Sequence, residues 1–442
     1  MSDFWIKAAQ LILSLSILIV LHELGHMIPA KLFKTRVEKF YLFFNPYFSL
    51  FKKKIGETEY GIGWLPLGGF VKIAGMVDES MDKDQMAKPP EPWEFRSKPA
   101  WQRLIIMLGG VVVNLILGFL IYMMVLGIWG RDYVKHADVK QGFSATSVAK
   151  DIGFQDGDKI LSVNGKELFS VLDISRHLLM RNVKTVEVEH RGGVKEAIAI
   201  PEDFGMTMWM NGQESPLTPI MTPIVDTVME KSGGLAAGIL KGDSIMSIDN
   251  TPIEFWHEAV ALITKDSNAT FPIKVMRGKE ILTLTVTNDS VGKIGVGPQS
   301  PLGKTMLASH KDYSFGEAVS DGFSYGYWTL HDYVVQFKYV FTAKGATQIG
   351  GFGAIGKMFP SEWDWHQFWL NTALISIILA FMNLLPIPAL DGGHVIFLLW
   401  EMVTGRAVSQ KIMEKAQVVG MVLLLGLLLY ANGLDVIKAI FT

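Results

Sequence analysis

The stretch VLHELGHMIPA, residues 20–30, sets three ionisable side chains, His22, Glu23 and His26, directly behind the apolar run LILSLSILIV of residues 11–20. On a helix His22 and His26 stand at i and i+4, on one face and near enough to share a metal ion. Zinc takes imidazole ligands at about 2.0–2.1 Å, and a carboxylate at the position of Glu23 can take a proton from water that the metal has made acidic. A histidine pair satisfied inside a helix-packing network would show the same spacing. Against that alternative, an ionisable residue within a membrane helix is by default a functional one, and here there are three within five positions.

The surroundings support a membrane setting. Hydrophobic residues make up 49% of the 442 and charged residues 19%, the balance of a membrane protein. Four apolar stretches, Ala8–Ala30, Leu104–Gly130, Gln367–Leu390 and Ala416–Leu434, are each about as long as a helix needs to be to span a bilayer. The first has no basic residue within positions 1–6 and no small-residue cleavage site before the His/Glu cluster, so it is expected to be a retained helix. Lys31, Lys34, Arg36, Lys52, Lys53, Lys54, Lys98 and Arg103 fall between the first two stretches, which puts that segment in the cytoplasm and roughly 131–365 outside. A net charge of −2 without a long basic run points to no nucleic-acid partner, and the absence of Cys excludes thiol catalysis, Cys-ligated zinc and disulfides.

Catalytic zinc needs a third protein ligand and an open position. Glu38, Glu57 and Glu59 follow the His pair but lie in a Lys-rich stretch without a clear helical face. NLLPIPALDGGH, residues 383–394, is the better source. Pro386 and Pro388 break the helix of the third apolar stretch. Non-helical backbone at membrane depth is tolerated only when buried in protein or lining a wet cavity. Asp391 follows the break, and Gly392 and Gly393 permit close backbone approach. An isolated Asp there would merely cap a helix; beside the His pair it completes a His2Asp set.

Between the second and third stretches the composition is that of a soluble segment, and it repeats. GDKILSVNGKEL from Gly157 and GDSIMSIDNTPI from Gly242 align at an offset that also pairs Ser147 with Ser232 and Gly153 with Gly238. Two tandem copies of one module are expected, each a Gly-Asp turn, a short alternating strand and a polar turn. The pattern resembles a bacterial, circularly permuted PDZ domain. That likeness implies binding of extended peptides or C-termini by strand addition; modules that bind nothing and only cover the membrane site are the alternative.

HELGH and ALDGG, with PDZ-like repeats between them, closely resemble the site-2 protease family of intramembrane zinc metalloproteases, in its bacterial RseP-type branch. The resemblance implies that His22, His26 and Asp391 are zinc ligands and Glu23 the catalytic acid/base. It also implies that Asn383 helps to hold substrate, with Pro386, Pro388, Gly68 and Gly69 beside it. GETEYGIGWLPLGGFVKIAG, residues 56–75, reads as a hairpin with an exposed edge; the family implies a membrane-reentrant β-structure there that pairs with an unwound substrate. Gly110, Asn114 and Gly118 recur every four residues in the second stretch, which favours helix packing. The family's Gly-Pro before this Asn is replaced here by Gly-Gly-Val, so Asn114 is read as a packing residue. SYGYWTLHDYVVQFKYV, residues 324–340, reads as an interfacial amphipathic helix, and QIGGFGAIG, residues 348–356, as a tight or flexible turn. His331, His366 and His394 are given no ligand role.

The expected fold is a polytopic α-helical membrane protein of about four transmembrane helices, with a membrane-associated β-hairpin region and two inserted α/β PDZ-like domains. Its segments are 1–130, 131–215, 216–302, 303–365 and 366–442, the third and fourth being the second PDZ-like domain and an amphipathic linker. The expected activity is zinc-dependent cleavage of transmembrane segments of single-span proteins, anti-sigma factors or remnant signal peptides among them. The expected setting is the bacterial inner membrane, with the lipid bilayer as partner, the PDZ-like domains outside and the active site toward the cytoplasm. A membrane-bound PDZ receptor or chaperone with a structural metal is the alternative, though it leaves Glu23 without a task. A transporter with broken helices explains Pro386 and Pro388 but not the His/Glu motif with tandem repeats.

Overall fold

Proline decides where the third apolar stretch stops being a helix. The computed structural model describes residues 2–66, 68–76, 89–298 and 309–441. Leu67 of the 56–75 segment, the last residues of the second repeat and the start of the 303–365 linker lie outside them. Four described helices are long and apolar enough to cross a membrane: Asp3–Leu32, Ala100–Trp129, Trp365–Leu384 and Gln410–Lys438. The third ends at Leu384, before the end of its apolar stretch, at the break expected from Pro386 and Pro388, which cannot donate to a further turn. The chain then restarts as a separate helix at Asp391.

The chain divides into two units, Met1–Gly130 with Asp312–Thr442, and Arg131–Lys311. In the first, the long helices are α1 (Ser2–Leu32), α2 (Ala100–Trp129), α3 (Phe315–Val340), α4 (Trp365–Leu384), α5 (Asp391–Thr404) and α6 (Gln410–Phe441). α2 is central, with α1, α3, α4 and α5 all packed on it. Small residues let the helices close up: a Cβ on Gly118 would meet Ile377 of α4 at 2.8 Å. Buried hydroxyls cross-link the bundle, Thr372 Oγ1 donating to Ser14 Oγ at 3.0 Å and Ser376 Oγ to the Asn114 carbonyl at 2.7 Å.

Three expectations for this unit are corrected. Residues 56–75 do not form one hairpin. The strands β1 (Val37–Leu42), β2 (Phe51–Ile55), β3 (Thr58–Ile62) and β4 (Phe70–Ile73) make a four-stranded sheet in the order β2-β3-β1-β4. The hairpin is β2–β3, and β1 lies between β3 and β4, parallel to the former and antiparallel to the latter. The aromatic-rich α3 is not a lone surface helix. It runs lengthwise along α2, where Cβ atoms on Gly322 and Gly326 would meet Met123 and Phe119, and Tyr325 packs 4.6 Å from Tyr122. Residues 352–357 of the expected turn are helical, held by Asp435 Oδ2, which accepts from the Gly351 and Ala354 amides at 3.0 Å.

The second unit repeats one order of elements around two separate apolar cores. In the first copy the strand Lys159–Val163 pairs with Thr185–Glu189, which pairs with Lys195–Ala199, and the helix Ile174–Met180 intervenes. In the second, Ser244–Ile248, Trp256–Ile263, Thr270–Arg277 and Glu280–Thr287 follow the same order. Each copy also buries the Asp of its Gly-Asp turn against a cation, but the cations differ. His190 binds Asp158 at 2.6 Å and Glu196 at 2.9 Å, whereas Arg277 grips Asp243 through two bonds of 2.7 Å.

That difference makes one copy pH-sensitive. Hydrogen bonds to Glu196 and then Asp158 hold the His190 imidazolium above its ordinary range. A raised folded value means that the stabilisation is complete below the unfolded pKa, near 6.5, and fades as pH rises through the folded one. Arg277 does not titrate in this range. Burial pushes the Asp243 carboxyl up, but Arg277 and the Leu240 amide outweigh it and hold it low. Raising the pH from about 6 to about 9 should therefore speed amide exchange in Lys159–Val163 and Thr185–Glu189 several-fold beyond the intrinsic rate. Ser244–Ile248 should keep its protection. Hydrogen-exchange mass spectrometry on the whole chain reads both, and His190→Phe should abolish the difference.

Candidate metal centre

α1 and α2 cross where neither has a side chain. A Cβ on Gly25 or on Gly109 would collide with the other residue's carbonyl, so only this glycine pair lets the backbones meet. Gly110, one residue on, leaves room for the histidine rings; a Cβ there would collide with His26 Nε2 and lie 2.6 Å from His22 Cε1. The crossing thus brings α2 backbone and side chains against the outer nitrogens of both rings. His26 Nδ1 lies 2.8 Å from the Ile106 carbonyl. His22 Nδ1 lies 3.2 Å from the Asn114 amide.

Those contacts set the tautomers. An Nδ1–H donated to Ile106 leaves the Nε2 lone pair of His26 free. The buried Asn114 Oδ1 has no partner, and the two ends of a carboxamide are interchangeable. With the oxygen toward His22, it accepts that ring's Nδ1–H and frees the second Nε2. Asn114, read from the sequence as a packing residue, is therefore also the group that orients His22.

The third donor comes from the break between α4 and α5. Ala389 is held at φ 85°, a left-handed conformation unfavourable for a residue with a Cβ. Its N–H donates to Gln417 Oε1 of α6 at 3.1 Å. A Cβ on Gly420 would collide with the Pro388 carbonyl, and Cβ atoms on Gly392 and Gly393 would strike the Leu384–Pro388 backbone. The turn is thus clamped from α6, and Asp391 enters as the first residue of α5. Its Oδ2 lies 3.3 Å from His22 Nε2 and 3.4 Å from His26 Nε2, and the two Nε2 atoms are 3.2 Å apart.

These three atoms fit a zinc ion. Asp391 Oδ2 is buried without a hydrogen bond, and it faces two nitrogen lone pairs. Such an arrangement is repulsive or unsatisfied unless a cation joins it. Four tetrahedral ligands at 2.0–2.1 Å stand about 3.3 Å apart, the spacing found on all three sides. His22, His26 and Asp391 are also the one grouping of three or more His, Asp or Glu among the described residues placed to hold a metal. Glu38 instead pairs with Lys72 at 3.4 Å, and Glu59 accepts the Tyr41 hydroxyl at 2.7 Å.

Glu23 flanks the centre and is buried. It touches β4: the Val71 N–H donates to its carboxylate, and a Cβ on Gly69 would lie 3.6 Å from its Cγ. Gly68 sits over the Phe44 ring. Asn383 stays on the last turn of α4 and its side chain makes no hydrogen bond among the described residues. Pro386 is exposed, and Pro388 is packed under Gly393 and Gly420. Among the described residues no hydrogen bond joins these three to the His/Asp cluster. The sequence reading missed the Gly25–Gly109 crossing, the Ile106 carbonyl and Gln417. Only Gln417 carried a signal, a lone amide at the start of the fourth apolar stretch.

Removing an outer partner of a metal ligand weakens binding by 10–100-fold. Asn114→Ala should therefore loosen zinc by about that factor, measured by competition with a chelating dye, while the helical circular dichroism stays unchanged.

The chain is similar to known proteins over nearly its whole length. The model of peptidase family M50 matches residues 10–427. The regulator of sigma-E protease RseP of Escherichia coli is 27% identical over 461 residues, covering 97% of this chain and 99% of that protein. The regulator of sigma E protease of Haemophilus influenzae is 26% identical over 451 residues, covering 98% of each. A Thermotoga maritima protein whose name describes a zinc metalloprotease is 26% identical over 507 residues, covering 96% of this chain and 98% of its own.

Proposed function

Starting from a chain that belongs to peptidase family M50, and so is a zinc metalloprotease of site-2 type, we propose that it cuts single-span membrane proteins within their transmembrane segments. The observation that carries this reading is the spacing of His22 Nε2 and His26 Nε2, on a helix apolar enough to cross a bilayer, with Asp391 Oδ2 at the start of α5. These three residues would hold the zinc, which when bound supplies a Lewis acid and makes water nucleophilic at neutral pH.

The rest is the work of side chains and backbone. Glu23 takes the proton of the attacking water and returns it to the leaving amine. Ile106 and Asn114 hold the two imidazoles with their Nε2 atoms inward. A peptide bond inside a substrate helix is shielded, so the substrate must unwind before it is cut. β4 is an edge strand whose Val71 amide reaches Glu23. A substrate strand added to that edge brings its scissile bond beside the carboxylate. Gly68 and Gly69 keep this approach open, and Asn383, Pro386 and Pro388 line the substrate's path from the α4–α5 break.

The repeated copies, 131–215 and 216–302, act as PDZ-like modules that take peptides or exclude bulky substrates, joined by the 303–365 linker to the membrane region 366–442. The Lys and Arg between α1 and α2 support a cytoplasmic position for that side, in a bacterial inner membrane, with the modules outside. The names of the sigma-E relatives make anti-sigma factors the first substrates to try, with remnant signal peptides second. The test is incubation of purified protein with single-span candidates, with and without a zinc chelator. Chelator-sensitive cuts mapped by mass spectrometry inside the apolar segment are expected; cuts only in flanking soluble sequence would overturn the reading.

A further inference from the structure

The sheet has a second edge, and the chemistry of that edge is unlike that of β4. We propose that β2 and the loop before it bind anionic phospholipid headgroups. All five residues of β2, Phe51–Ile55, are exposed. Lys52, Lys53 and Lys54 are consecutive and form no ion pair among the described residues. Glu59, opposite Lys54 in the ladder, is taken by the Tyr41 hydroxyl, and Glu57 lies in the turn beyond.

Lysines on an edge strand can serve simply to discourage pairing with another chain. Here they are interleaved with apolar side chains that such a role does not need. Phe51 and Ile55 flank Lys53 on one face, with Lys52 and Lys54 on the other. The loop adds Tyr47, Phe48 and Leu50, all exposed, with the Tyr47 ring wholly so. That loop is built rather than slack. Tyr47 stands at φ 71° and Phe43 at φ 68°, conformations that bulky residues adopt only when the surroundings impose them. The Trp64 indole N–H donates to the Pro46 carbonyl at 2.9 Å, and its ring stacks on Phe48 at 5.8 Å.

Apolar side chains among unpaired lysines match the boundary between acyl chains and phosphates, where a lysine stem lies along the apolar layer and its ammonium reaches the headgroup. Position agrees, since β1 starts five residues after α1, a candidate membrane span, ends at Leu32. β2 lies three strands from β4, about 14 Å across the ladder. Anionic lipid at one edge of the sheet would thus anchor the strand that lies against Glu23 at the other.

The chain has no cysteine, so Leu50→Cys gives a single site for a fluorophore on the full-length protein. In phosphatidylcholine vesicles, spin-labelled phosphatidylglycerol should quench it several-fold more strongly than spin-labelled phosphatidylcholine at the same mole fraction. High salt should reduce the preference, and changing Lys52, Lys53 and Lys54 together to Gln should abolish it while zinc content is retained. Equal quenching by both lipids, or a preference that survives the triple change, would overturn the proposal. So would energy transfer between labelled copies without lipid quenching, because the edge would then belong to a second chain.

Discussion

Chains carrying Glu23→Gln are expected to keep their zinc and to lose cleavage by about 10²–10⁴-fold, the range that a positioned proton carrier contributes. The substitution is nearly isosteric. The Gln amide oxygen still accepts from Val71 N–H, and the contact with Gly69 is unchanged. The donor set of His22, His26 and Asp391 is untouched. What is lost is the ability to take up a proton. Zinc per chain and the cleavage rate of one single-span substrate, measured on the same preparation, separate the two roles. A Gln variant that cuts at the parent rate would remove Glu23 from the chemistry.

Asp391→Ala should do the opposite and release the metal. Two imidazole nitrogens 3.2 Å apart would remain, one ligand short of the three that catalytic zinc sites require. Losing an outer partner already weakens binding 10–100-fold, so losing a direct ligand should exceed about 100-fold. The fold should survive. The turn before α5 is held by Gln417 on the Ala389 amide and by backbone packing at Gly392, Gly393 and Gly420, none of which uses the carboxylate. Metal analysis after dialysis should show a depleted chain whose helical circular dichroism matches the parent. Full zinc occupancy in this variant would move the third ligand elsewhere.

The chemistry was legible because it follows local rules. The i, i+4 spacing of His22 and His26 is a property of one helix, and Pro386 and Pro388 announce a break wherever they occur in an apolar run. The repeat was legible as self-similarity, and its two copies share an order of elements. What escaped is non-local. The parallel pairing of β1 with β3 places β1 between strands that are neighbours in sequence, which alternation of apolar residues cannot reveal. The Gly25–Gly109 contact joins residues on two helices, and each glycine alone has many explanations. α3 reads as interfacial because its outer face is aromatic, but its glycines at 322 and 326 fit against α2. The Ile106 carbonyl has no side-chain signature at all. Orientation of the imidazoles was therefore hidden, although their identity was plain.

The central claim is that His22, His26 and Asp391 together hold one zinc beside Glu23. X-ray absorption at the zinc edge, on the zinc-loaded Glu23→Gln chain, tests it most directly, since that variant keeps the ligands and spares substrate. One zinc per chain with two imidazole and oxygen ligands at about 2.0–2.1 Å is predicted, and a chain that also carries His22→Ala, one ligand short, should lose that shell. A first shell without two imidazoles, or one unchanged by His22→Ala, would contradict the account.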